Sequence, residues 1–235
     1  MLRTVPSRPI RFGLPALLAL LAGTASVVRA ELVRPARAGV AVQDLAVIDE
    51  DGAPSGLRAL AGGGPALLLP IFTSCAGTCP LTAEALKAAF SGRPASFRVV
   101  VLTFDPADTA RDLKAFRATH GLPAAWRLAR GADAAATRAF LDQFDFRVMT
   151  APGGFDHPNE TFVLSPKGVW AGTFSGSSFS QDELERAGSW ALAADSPDFA
   201  SRLLRRGNWI MPAFAALVLC LAAVFVLAGK ASSPR

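Results

Sequence analysis

The sequence predicts an α/β domain, a central sheet flanked by helices, held between two apolar ends. Three observations predict it. Short β-branched apolar runs alternate along the chain with amphipathic stretches of helical period. The 235 residues are 51% hydrophobic and 18% charged, with a mean hydropathy of +0.33, too apolar for a disordered chain and high for a wholly soluble one. The charge is also unevenly placed. Arg3, Arg8, Arg11 and Arg29 lie in residues 1–30, and Arg202, Arg205, Arg206, Lys230 and Arg235 in residues 201–235, with no acidic residue in either stretch. The formal net charge of +5 therefore belongs to the ends, and the middle holds 15 basic residues against 19 acidic ones. An acidic middle does not attract phosphate, which excludes nucleic acid as a partner.

Taken in order, residues 1–30 read as a signal peptide or signal anchor. Basic residues precede an uncharged stretch from Phe12 to Val28, and Val28-Arg29-Ala30 places small residues at signal-peptidase spacing. The stretch is 17 residues long, the lower limit for a membrane span, so retention as an anchor is the alternative; either exports the middle. Residues 31–42 read as a linker and 43–197 as one domain. Within it Pro65–Phe72 is an apolar run suited to a buried strand, with Cys75 on the turn that follows. Pro80–Phe90 has helical spacing with Pro in its first turn. Phe97–Phe104 is a β-branched strand. Asp108–His120 is an amphipathic helix opened by an acidic cap and closed by Gly121. Ala132–Phe144 reads as a third helix. Thr161–Leu164 and Val169–Phe174 form a hairpin around Pro166-Lys167-Gly168, and Gln181–Ala194 is a last helix. Strand–helix–strand–helix followed by hairpin and helix indicates a thioredoxin-like α/β sandwich. Residues 198–208 read as a juxtamembrane linker and 209–229 as a transmembrane helix, uncharged, about 30 Å long and opened by Trp209 at the interface. Residues 230–235 are then a cytoplasmic tail.

Of the three cysteines, Cys220 falls inside the apolar span, where a thiol behaves as a small hydrophobe. Cys75 and Cys79 stand in Thr73-Ser-Cys-Ala-Gly-Thr-Cys-Pro80, at a strand-to-helix junction. Such a pair can be a permanent disulfide, can exchange disulfides with a helix N-terminus lowering a thiol pKa, or can clamp a soft metal. A bridge across three residues closes a very small loop and contributes little entropy, which weighs against a purely structural staple. There are two histidines. His120 ends a helix, where a cation complements the helix dipole. His157, in Gly153-Gly-Phe-Asp-His-Pro-Asn-Glu160, is the available third donor for a sulfur/nitrogen site. Two thiolates and one imidazole suit trigonal Cu(I) and leave room for a further ligand on Cu(II), whereas structural zinc wants a fourth protein donor. Copper is favoured by count.

Three segments together resemble the Sco/SenC family. Thr73-Ser-Cys-Ala-Gly-Thr-Cys-Pro80 is similar to its T-x-C-x-x-x-C-P motif, and Phe104-Asp-Pro-Ala-Asp-Thr109 to its D-P-x-x-D-T segment. Asp156-His157, which lies 78 residues beyond Cys79 and before Phe162-Val-Leu-Ser-Pro-Lys-Gly168, is similar to its D-H. The resemblance covers residues 43–195. It implies a thioredoxin-like, membrane-tethered copper protein on the exported, periplasmic side of a bacterial-type cytoplasmic membrane. It makes Cys75, Cys79 and His157 the copper ligands. Asp105 would adjust the site from beside it, or else serve as an ordinary turn or cap aspartate. The chain departs from the family in placing its long apolar span at the C-terminus, and Trp126-Arg-Leu-Ala-Arg130 fits the pattern loosely.

The residues point to a copper-binding protein for Cu(I) and/or Cu(II), and the resemblance implies a chaperone that delivers the copper to the copper-bearing subunit of cytochrome c oxidase and assists assembly of its binuclear copper centre. A second copper chaperone or a thiol reductase would be a further partner. The alternative is a thiol-disulfide oxidoreductase that cycles Cys75–Cys79 to reduce cysteines of the oxidase copper site or of other exported proteins. A peroxidase on the same fold is the third reading, and the paired thiols with a nearby histidine weigh against it.

Overall fold

The structure is a computed structural model, and it describes residues 31–91 and 97–196. The expected signal segment and the apolar span 209–229 lie outside these residues. Among the described residues no helix is long and apolar enough to cross a membrane. The elements in chain order are β1 (Glu31–Val33), β2 (Ala46–Asp49), β3 (Pro54–Gly56), α1 (Leu57–Leu60), β4 (Ala66–Ile71), α2 (Thr78–Ala89), β5 (Arg98–Thr103) and α3 (Ala110–His120). They continue with β6 (Arg127–Gly131), α4 (Ala134–Asp142), β7 (Met149–Ala151), β8 (Gly154–Asp156), β9 (Glu160–Leu164), β10 (Trp170–Ser175) and α5 (Gln181–Ala194).

Among the described residues eight strands form one sheet in the order β1-β10-β9-β4-β5-β6-β2-β3. β4, β5 and β6 run parallel, and β9 runs antiparallel to β4. The centre of the sheet falls where the sequence is most continuously apolar. Every residue of β4 is buried, as a strand covered on both faces requires. Side chains alternate between the two faces. Leu67, Leu69, Ile71, Val99 and Val101 pack with Leu86 of α2, Leu113 and Phe116 of α3 and Leu184 of α5. Leu68, Val100 and Leu102 pack on the other face with Phe140 and Leu141 of α4, Phe144, Phe146 and Trp170. Helices therefore cover both faces, the sandwich that the sequence pattern predicts. The β4–α2–β5 and β5–α3–β6 crossovers lay α2 and α3 on the same face and leave the C-terminal ends of β4 and β5 open at one pole.

Three expectations need correction. Residues 31–42 are not a free linker: β1 pairs with β10 (Leu32↔Phe174), Ala41 bridges to Val169, and Arg34 lies 4.2 Å over the Trp190 ring. The open edge of β10 would otherwise present unpaired N–H and C=O groups, and this segment covers it. Asp108 does not cap α3. Thr109 does, accepting from Asp112 N at 3.3 Å while its own N–H donates to the Asp112 carboxylate at 2.8 Å, and Gly121 closes the helix at φ 55°. The third helix is shorter than 132–144: Asp133 caps its start, accepting from Ala136 N at 2.7 Å, and its chain has left the helix before Phe144 reaches the core.

Candidate metal centre

β4 delivers the chain to the open pole at Phe72, and a loop from Thr73 to Gly77 carries it into α2. Cys75 sits on that loop, half-buried, with its N–H donating to Phe72 O at 3.1 Å. Cys79 lies in the first turn of α2, 3% exposed, facing the apolar layer around Leu86 and Phe97. Pro80 follows in the same turn, where an N–H would have no intrahelical acceptor. Both cysteines are free thiols. The lowered thiol pKa that a helix N-terminus can give, and that disulfide exchange would use, is not seen at Cys79. Burial, reinforced by the adjacent Cys75 thiol, pushes it up from 9.0 to about 12, so a metal-free Cys79 is a neutral thiol at physiological pH.

His157 arrives from the opposite direction, on the segment between β8 and β9. Its Nδ1 donates to Pro158 O at 2.8 Å, which leaves Nε2 as the bare nitrogen, and Nε2 faces Cys79 Sγ at 4.0 Å. Aromatic rings hold the imidazole there: Phe104 at 5.1 Å between centroids, Phe146 at 5.5 Å and Phe72 at 5.9 Å, with Phe155 packed on Phe72 and Phe104 behind them. Gly154 makes this cage possible. It sits at φ 151°, and a Cβ there would stand 2.9 Å from the Phe72 ring.

Of the four site candidates, the fold thus brings Cys79 and His157 face to face across 78 residues and sets Cys75 on the adjoining loop. Among the described residues no group of three or more His, Cys, Asp or Glu side chains is already assembled as a metal cluster. Asp105 keeps to its own turn: its carboxylate accepts from Ala107 N at 2.9 Å and its N–H donates to Thr103 Oγ1 at 3.2 Å. His120 closes α3 at the far pole, its ring 4.5 Å from Phe116.

The carboxylate that reaches toward the cysteine loop is Asp108, 8% exposed. It accepts from Thr73 N at 2.9 Å and from the hydroxyls of Thr73 and Thr103. Thr73 is two residues from Cys75, so a buried charge braces the start of the loop. The sequence signal was available, an aspartate immediately before a capping threonine, since only one of the two can cap.

The SCO1/SenC family profile matches residues 35–191 of the chain. A solved structure from Aquifex aeolicus VF5 is 32% identical, with a TM-score of 0.62, covering 68% of this chain and 97% of its own. Copper-bound ScoI of Bradyrhizobium japonicum has the same fold at 16% identity and TM-score 0.53, covering 64% of this chain and 99% of its own. So does BsSco, a member of the Sco family of cytochrome c oxidase assembly proteins with a disulfide switch, at 21% identity and TM-score 0.55, covering 69% and 98%. No curated protein matches the chain.

Proposed function

The chain belongs to the SCO1/SenC family, and from that premise we propose that it is a membrane-tethered copper chaperone whose cargo is held by Cys75, Cys79 and His157. The observation that carries the reading is the bare Nε2 of His157 facing Cys79 Sγ at 4.0 Å. A first-row ion bound at about 2.3 Å to sulfur and about 2.0 Å to nitrogen needs those atoms roughly 3.5–3.7 Å apart, so the pair closes on copper with a small shift. Cys75, on the loop, completes a set of two thiolates and one imidazole. This soft set suits copper, and among the described residues no fourth protein donor stands with it to make a closed zinc site. Loading displaces the thiol protons, including the one that burial holds on Cys79. Cys75, the more accessible thiolate, is the ligand an incoming recipient thiol exchanges first, and both cysteines leave the transfer reduced.

The recipient in this reading is the copper-bearing subunit of cytochrome c oxidase, with another copper chaperone or a thiol reductase maintaining the supply of copper or of reduced thiols. The domain stands on the periplasmic side of the cytoplasmic membrane, exported by residues 1–30 and tethered by the span 209–229. The second reading is a thiol-disulfide oxidoreductase, favoured by the two free thiols at a helix N-terminus. In it Cys75 attacks and Cys79 resolves. His157→Ala separates the two: it abolishes tight Cu(II) binding and leaves disulfide exchange at the wild-type rate. Tight binding retained in that variant rejects the ligand assignment.

A further inference from the structure

We infer that Asn159 is a positioning residue for the copper site, the part that fixes how far His157 stands from Cys79; this rests on His157 being a copper ligand. The one short hydrogen bond of the His157 ring stays inside its own loop, at Pro158 O, its ring contacts are apolar, and the approach of Nε2 to Cys79 Sγ, at 4.0 Å, is too long to hold the loop against α2 by itself. Two residues on, the Asn159 side chain does. Thr82 Oγ1 donates to Asn159 Oδ1 at 3.1 Å, and Asn159 Nδ2 donates to Ser177 Oγ at 2.7 Å. The Asn159 carbonyl also accepts from Gly176 N at 2.9 Å. Thr82 is fully buried and lies three residues after Cys79, hence on the same face of α2. One amide therefore joins the histidine loop, the turn of α2 that carries Cys79 and the segment after β10.

The bonds are directional, and the Thr82 hydroxyl is shielded from water, so no solvent molecule replaces its partner freely. Cutting the link lets the histidine loop drift from the helix, and the metal-bound geometry then has to be assembled at each loading. The Asn159 amide bonds neither cysteine, and Cys75 stands on the Asp108-braced loop, so the redox chemistry of the pair is untouched.

The test uses the full chain in detergent, reduced and titrated with Cu(II), comparing Asn159→Ala, Thr82→Val and Thr82→Ser. Affinity is read by competition, geometry by the EPR signal of the imidazole-bound ion, and the metal-free Cys75–Cys79 midpoint potential by redox titration. Asn159→Ala and Thr82→Val are expected to bind roughly tenfold more weakly with an altered EPR signal, Thr82→Ser to match wild type, and the midpoint potential to stay constant throughout. In a His157→Ala background, Asn159→Ala is expected to add no further loss. Wild-type affinity and spectrum in both Asn159→Ala and Thr82→Val, while His157→Ala loses copper, overturns the positioning role alone. An equal loss with and without His157 overturns it too. Copper binding that survives His157→Ala overturns instead the ligand assignment beneath it. If Asn159→Ala fails to fold, the Thr82 pair decides.

Discussion

Removing the Asp108 carboxylate is the perturbation whose size the structure fixes most fully. The group is 8% exposed and collects three donors: the Thr73 N–H and the Thr73 and Thr103 hydroxyls. A hydrogen bond to a charged group contributes about 1.5–3 kcal/mol, yet the three do not simply add. Asp108→Ala also relieves the desolvation of a buried charge, and the hydroxyls can rotate to other acceptors. The Thr73 N–H cannot rotate, and it is left without its acceptor. One orphaned backbone donor plus part of two hydroxyl bonds comes to about 2–4 kcal/mol. At roughly 3 kcal/mol, a domain of this size loses about 6–12 °C in Tm. Asp108→Asn keeps an acceptor for Thr73 N and is expected to lose about half as much. Thermal unfolding of the reduced, metal-free protein measures both, and the alkylation rate of Cys75 reports the freed loop. A Tm within 1 °C of wild type for Asp108→Ala, or an Asn variant as damaged as the Ala variant, refutes the bracing account.

Further predictions concern the cage and the thiols. Gly154→Ala places a Cβ 2.9 Å from the Phe72 ring at φ 151°, so it is expected to destabilise by about 1–3 kcal/mol and to displace a ring that contacts His157; thermal unfolding and the His157 NMR shift read the two effects. Iodoacetamide at pH 8 is expected to label Cys75 well before Cys79, counted by mass spectrometry on the reduced protein, because burial holds the Cys79 thiol neutral up to about 12. The same shift carries a pH dependence. The folded pKa lies above the unfolded value of 9.0, so the stability gained from the neutral thiol is complete below pH 9 and is lost as pH climbs toward 12. The Tm of reduced wild type should accordingly fall more steeply above pH 9 than that of Cys79→Ala.

The parts of the fold legible in the sequence were those whose burial is one-sided or complete. β4 and β5 are apolar throughout, α3 carries its αL glycine stop, and α5 runs over the predicted Gln181–Ala194. β6 was not legible, because Arg127, Arg130 and Gly131 flank just two fully buried residues, Leu128 and Ala129, and a parallel neighbour rather than propensity holds it in the sheet. β1–β3 and the β7–β8 hairpin are three or four residues long, too short for periodicity to register. At the site, the two cysteines and His157 could be named from residue chemistry and resemblance. Their environment could not: whether helix terminus or burial wins at Cys79 depends on which way the first turn of α2 faces. Likewise, adjacent Asp108 and Thr109 are both competent caps, and only the tertiary partners of Asp108, Thr73 and Thr103, decide between them.

The most direct test of the account is an anaerobic titration of the reduced protein with Cu(I) and, separately, Cu(II), comparing wild type with Cys75→Ser and Cys79→Ser by absorption and EPR. The account predicts one copper per chain with thiolate-to-copper charge transfer, lost in each serine variant. A wild-type protein with no tight copper binding but a readily reducible Cys75–Cys79 disulfide contradicts it and leaves the oxidoreductase reading standing.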